Sequence, residues 1–128
     1  MAVRGQEDTG AFTDEGLREH IRRTGTVPDE VIQQLVAKIV AEVRPLKIIL
    51  FGSAARGDMK ADSDIDILVV GKGHDRRDTA RRLYRKLRDF ALPKDIVVVS
   101  PDLLEKYRDV PGYVYRPALR EGKVIYAR

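Results

Sequence analysis

Three aspartates stand where strand geometry gives them a common task. Asp64 and Asp66 lie one residue apart in "DSDIDILVV", and Asp95 opens "KDIVVV". Side chains alternate faces along a strand, so Asp64 and Asp66 point one way while Ile65 and Ile67 point the other. Two carboxylates on one face repel, and burial strengthens the repulsion. A divalent cation relieves it, because hard Mg²⁺ takes oxygen ligands and is commonly held by one or two carboxylates plus substrate phosphates. If the two strands are neighbours, Asp95 meets the pair at one sheet edge. That set suits a two-metal site, in which ions about 3.5–4 Å apart clamp the attacking and leaving oxygens of a phosphoryl-type displacement. Taken alone, an Asp-x-Asp pair also flanks strand-initial turns and occurs in sugar-nucleotide glycosyltransferases, and Asp95 has a structural alternative in an ion pair with Lys94 or an arginine.

Upstream of the acids, "LKIILF" runs into "GSAARGD". A strand that ends at Gly52-Ser53 and turns into a short helix aims backbone N–H groups and a positive dipole end at an anion. Gly52 allows close backbone approach, and Ser53 offers a hydroxyl either as helix cap or as phosphate donor. Arg56 has two readings of equal weight: contact with a phosphate, or a salt bridge to Asp58 or Asp62. Gly57 is followed by Asp58 and Met59, which excludes a Walker A loop. A phosphate cradle beside an acid cluster implies a metal–nucleoside triphosphate substrate.

The elements that must position these residues are legible in outline. "VPDEVIQQLVAKIVAEVRP" is a helix with Pro28 in its first turn, Asp29 and Glu30 near the positive dipole end, and a stripe of Val31, Leu35, Ile39 and neighbours at helical spacing. Pro45 stops it. "LKIILF", "DIDILVV" and "KDIVVVS" are apolar, β-branched strands. A helix is expected from Asp75 to about Ala91, with Ala80, Leu83, Tyr84, Leu87 and Ala91 inward. Ser100 and Pro101 open another helix. "GYVYRPALREG" is a further short one interrupted by Pro117, and "KVIYA" closes the chain as an edge strand. Asp14 caps a short helix ending at Gly25, and residues 1–13 show no periodicity and are expected to be mobile. The expected fold is α/β (α+β): a mixed sheet of about four to five strands flanked by helices. Residues 1–28 would be a partly mobile extension and 29–128 the folded domain.

The string "GSAARGDMKADSDIDILVV" resembles the signature of the DNA polymerase β-like nucleotidyltransferase superfamily, and within it the minimal, MntA-like nucleotidyltransferases. The likeness rests on Gly52-Ser53, ten intervening residues, then Asp64-Ile65-Asp66, with Arg56-Gly57, Ser63 and the later Asp95 falling in place. It covers about Val31 to Tyr126. The resemblance implies that Asp64 and Asp66 bind Mg²⁺, two ions in all, and that Asp95 completes the site and helps activate the attacking hydroxyl. Gly52 and Ser53 would hold the triphosphate, with Arg56 as an additional contact. The implied reaction moves a nucleoside monophosphate, AMP from ATP, onto a hydroxyl with release of pyrophosphate. Minimal members are often paired with a helical HEPN protein and some act as antitoxins by adenylylating its tyrosine. This chain carries no helical domain to complete an acceptor pocket, so a HEPN-type partner or a homodimer is expected to supply it. The rival reading is a non-catalytic antitoxin-type subunit that masks a HEPN partner by contact.

Composition bounds the remaining choices. The 128 residues suit one domain, and the absence of cysteine removes disulfides, thiolate catalysis and Cys-based zinc sites. No apolar run approaches the ~18 residues of a membrane span. The polar start lacks a secretory h-region, so a cytoplasmic location is expected. The net charge of +4 is matched by the segment Asp75–Asp89, where Arg76, Arg77, Arg81, Arg82, Arg85, Lys86 and Arg88 outnumber Asp75, Asp78 and Asp89 by the same margin. That strip is read first as a solvated helix face; a nucleic-acid partner is not expected, for want of an aromatic platform. His20 and His74 lack metal-spaced neighbours and are taken as surface residues. Tyr107, Tyr113 and Tyr115 are expected to pack with the carboxy-terminal helices.

Overall fold

A computed structural model describes residues 13–72 and 75–128. The expected mobility of residues 1–12 and the surface position of His74 lie outside the described residues. Among these residues six helices and four strands follow in the order α1 (Asp14–Thr24), α2 (Asp29–Val43), β1 (Lys47–Phe51), α3 (Gly52–Arg56), β2 (Ile65–Val70), α4 (Arg76–Lys86), β3 (Lys94–Val99), α5 (Pro101–Tyr107), α6 (Tyr115–Glu121) and β4 (Lys123–Ala127).

The strands form one mixed sheet in the order β3-β2-β1-β4. β1 is antiparallel to β2 and to β4, while β2 and β3 run parallel with α4 as their crossover. "KVIYA" is therefore an edge strand, as its amphipathic sequence suggests. The other edge, β3, is partly covered: the Ile96 N–H donates to the Tyr84 hydroxyl at 2.9 Å. Tyr84, expected in the core, is accordingly 41% exposed, with its polar tip at the sheet edge.

Alternation splits the apolar side chains between two cores. Ile48, Leu50, Ile65, Ile67 and Ile96 face α1, α2 and α4, against Leu35, Ile39 and Leu83. Ile49, Phe51, Leu68, Val70 and Val99 face α5 and α6, where Tyr115 and Ala118 cover them. Leu17 and Ile21 of α1 are fully buried in the first core, so this part of residues 1–28 shares its interior with residues 29–128.

Helix ends differ from expectation in small ways with clear causes. Thr13, not Asp14, is the N-cap of α1, its hydroxyl accepting from the Gly16 N–H at 2.9 Å. α4 ends at Lys86, where the Leu87 N–H caps back, and a turn closes at Phe90. Pro117 sits inside the first turn of α6, where its missing N–H costs nothing.

Candidate active site

β1 ends at Phe51, and Phe51 pairs with Asp66 across the antiparallel ladder. On the other side Asp66 pairs with Asp95 in the parallel ladder. Register therefore puts Asp66 and Asp95 side by side on one face. Asp64, just ahead of β2, shares that face by the two-residue repeat. It follows a tight turn in which Ser63 Oγ accepts from the Lys60 N–H at 2.8 Å and the Ser63 N–H donates to the Lys60 carbonyl. Ser63 thus sets the direction in which the chain enters the acids, a positioning part that the sequence reading did not give it.

Gly52 is the hinge of the site. It takes a left-handed backbone, φ 67°, which turns the end of β1 directly into α3. A Cβ at this position would overlap Asp66 Oδ2, so only glycine lets the strand end lie against that carboxylate. Ser53 follows in the first turn of α3, half-buried beside it. The loop leaving α3 is braced from α1: the Met59 N–H donates to the Gly25 carbonyl at 3.0 Å. Gly25 has φ 72°, and a Cβ there would strike the Gly57 carbonyl. The amino-terminal helix therefore supports the segment that links Gly52 to the acids.

Electrostatics of the cluster follow from its geometry. Asp66 is half-buried, whereas Asp64 and Asp95 are exposed. Burial, then the Asp95 and Asp64 carboxylates, push the Asp66 carboxyl above its ordinary value, against a smaller downward pull from Arg56. Among the described residues none of the three acids forms a salt bridge. The Lys94 alternative for Asp95 is not realised; the Lys94 ammonium donates to the Leu87 carbonyl at 2.9 Å, and its burial lowers its pKa.

Arg56 takes the ion-pair reading. Its guanidinium meets Asp58 Oδ2 and Glu121 Oε2, each at 3.2 Å, and these hydrogen bonds raise its pKa. Glu121 comes from the end of α6, 65 residues away, and no local pattern announced it. Among the described residues no group of three His, Asp or Glu side chains is gathered closely enough to form a ready coordination sphere. The acids adjoin through register, as a mutually repelling set, and have not been drawn together. The tyrosines pack as expected on the α5–α6 side, Tyr107 against Tyr113 at 4.7 Å and Tyr113 against Tyr115 at 6.1 Å between ring centroids.

The family model described as Polymerase beta, Nucleotidyltransferase matches residues 33–128. The chain belongs to the polymerase beta nucleotidyltransferase family. This nucleotidyltransferase is also 37% identical, over 98 residues, to a candidate protein adenylyltransferase of Methanocaldococcus jannaschii, a match spanning 76% of this chain and 92% of that protein. A candidate nucleotidyltransferase from Sulfolobus solfataricus has the same fold, with a TM-score of 0.51 and 21% identity over 100% of this chain and 91% of that one. The MNT antitoxin complex with tri-AMPylated HEPN toxin of Shewanella oneidensis gives a TM-score of 0.46 at 23% identity, over 76% of this chain and 73% of that one, too loose a likeness to carry an argument. Among the described residues of the nucleotidyltransferase no helix is long and apolar enough to cross a membrane.

Proposed function

We propose that this nucleotidyltransferase transfers AMP from ATP to a hydroxyl of a protein acceptor, a tyrosine of a HEPN-type helical partner. The observation that carries the proposal is the ladder pairing of Asp66 with Asp95, with Asp64 on the same face and Gly52-Ser53 at the adjoining strand end. The similarity to a candidate protein adenylyltransferase over nearly its whole length supports a protein acceptor.

The donor set is all oxygen, and burial together with the Asp95 and Asp64 carboxylates pushes the Asp66 carboxyl up, which fits a hard divalent ion such as Mg²⁺. Asp64, Asp66 and Asp95 would hold it, and when bound it supplies charge neutralisation for the phosphates and a lowered pKa for the attacking hydroxyl. The chain's own groups do the rest. Backbone N–H groups after Gly52 and the Ser53 hydroxyl bind the triphosphate. The Asp95 carboxylate takes the hydroxyl proton. The acceptor oxygen then bonds to the α-phosphorus, the bond from that phosphorus to the α,β-bridging oxygen breaks, and pyrophosphate leaves.

The decisive experiment incubates the protein with α-labelled ATP, Mg²⁺ and the protein encoded beside it, with Asp64→Asn/Asp66→Asn as control. Label on the acceptor should fall by on the order of 10²–10³-fold or more in the double variant, with circular dichroism unchanged. Complex formation and neutralisation without label, equal in wild type and variant, would instead establish a non-catalytic binding subunit.

A further inference from the structure

At the end of the sheet opposite the acids lies a cavity of about 380 Å³. It opens where α2 hands over to β1, where β2 and β3 leave the sheet, and where α4 begins. From Asp66 to Gly71 is five strand residues, so the cavity is roughly 16 Å from the acid cluster. Its floor is apolar, from Val43, Pro45, Leu46, Val69 and Val98. Its charged lining is almost wholly basic.

Arg44, Lys72 and Arg76 come from three separate elements, and none of them has an ion-pair partner among the described residues. Arg128 lines the cavity as well. Among the described lining residues Glu42 contributes the one acidic side chain, and Arg82 occupies it: the guanidinium donates to Glu42 Oε2 at 2.9 and 3.2 Å and to the Glu42 carbonyl at 2.7 Å. That fork ties α4 to α2 and removes the carboxylate from competition for the other cations. A lone cation at the end of α2 is explained by the helix dipole; cations converging from two further elements on one concavity are not.

Arg44 adds a second sign. It is the one non-glycine residue with positive φ among the described residues, at 48°, in the left-handed position that ends α2. Glycine is the residue favoured there, so the position holds a long cationic side chain at a backbone cost.

We propose that this cavity binds a compact organic phosphate, with its phosphate held by Arg44, Lys72 and Arg76 and its body on the Val43–Val69–Val98 floor. The volume falls within the range of small-ligand sites, and an apolar floor under a cationic rim matches a phosphomonoester with a carbon-rich body. Among the described residues no aromatic side chain lines it for base stacking, which disfavours an extended single strand of nucleic acid. The Thr79 and Ser100 hydroxyls, also on the lining, add neutral hydrogen-bonding groups for ester or ring oxygens. The site is independent of the transfer reaction and would let a phosphorylated metabolite bind while the acid cluster is in use.

The test is a titration of the isotope-labelled full chain, without divalent metal, followed by amide NMR shifts. Probes are AMP, a sugar monophosphate, inorganic phosphate and a short single-stranded RNA. AMP or the sugar phosphate should give saturable shifts at Leu46, Gly71, Lys72 and Ser100, and the comparison of the two identifies the body that the floor prefers. Arg44→Gly relieves the backbone while removing one cation, so it should fold at least as well as wild type and bind about tenfold more weakly. Arg76→Gln should weaken binding similarly. The proposal is overturned if neither organic phosphate shifts these amides at millimolar concentration, or if both variants bind unchanged. It also falls if inorganic phosphate binds as tightly as AMP, or if only the RNA perturbs this end.

Discussion

On one face of the sheet, α1, α2 and α4 press Leu17, Leu35, Ile39 and Leu83 onto Ile48, Leu50 and Ile67, all buried. On the other, two helices of 7 residues each, α5 and α6, cover Ile49, Phe51, Leu68 and Val70, and neither buries a long stripe. The same alternation that sends Ile65 and Ile67 into the thick core sends Asp64 and Asp66 to the thin side. The difference shows how a small domain separates two demands. Three helices on one face supply the buried apolar area that holds the fold. The other face can then carry adjacent carboxylates that weaken it.

The largest effect should come from the thick face. Leu83 is fully buried, and Leu83→Ala is expected to cost about 2–5 kcal/mol in denaturant unfolding. Because the acids sit on the opposite face, label transfer at a temperature where the variant stays folded should be within a small factor of wild type. A collapse of transfer in the folded variant would mean that the two faces are not separable.

Gly52→Ala probes the junction between them. It meets both a left-handed backbone and Asp66 Oδ2, so a stability loss of about 1–3 kcal/mol is expected together with loss of transfer. Gly112→Ala is the matched control: φ is 92°, but nothing lies within 4 Å of the added Cβ. It should show the backbone cost alone, with transfer retained. Equal loss of transfer in both variants would remove the overlap with Asp66 as the cause.

The smallest effect sharpens the comparison by sign. The folded-state pKa of Asp66 is raised above its ordinary value of 3.8, so the folded chain binds the extra proton in the window between the two. Stability attributable to this group is therefore highest at low pH, falls as pH rises through that window, and stays reduced above it. Asp66→Asn should raise Tm at neutral pH while abolishing transfer, and the gain should shrink as pH falls through that window. A variant less stable than wild type at neutral pH would show that Asp66 is structural, not a cost borne for chemistry.

Much of this was legible from local pattern. The 3.6-residue stripe of α2, the β-branched strands and the Ser100-Pro101 start of α5 each state their structure within a few residues, because propensity, capping and periodicity act at short range. The common face of Asp64 and Asp66 is likewise a property of any strand. The outward turn of Tyr84 was not legible, since the edge of β3, where the Ile96 N–H donates to its hydroxyl, decided it.

By itself the sequence determined which residues carry charge, which faces are apolar, and that a glycine-serine turn precedes an acid pair by a fixed spacing. Only the tertiary structure decided that β2 and β3 are adjacent and parallel, which is what sets Asp95 against Asp66. It alone joined Arg56 to Glu121, braced the loop before the acids on Gly25, and closed a basic cavity from the ends of helices and strands far apart in the chain. The physical reason is the same in each case. Local conformation follows from sterics and hydrogen bonds within a turn or two, whereas these contacts depend on how layers pack, and packing is settled by the burial of the whole chain.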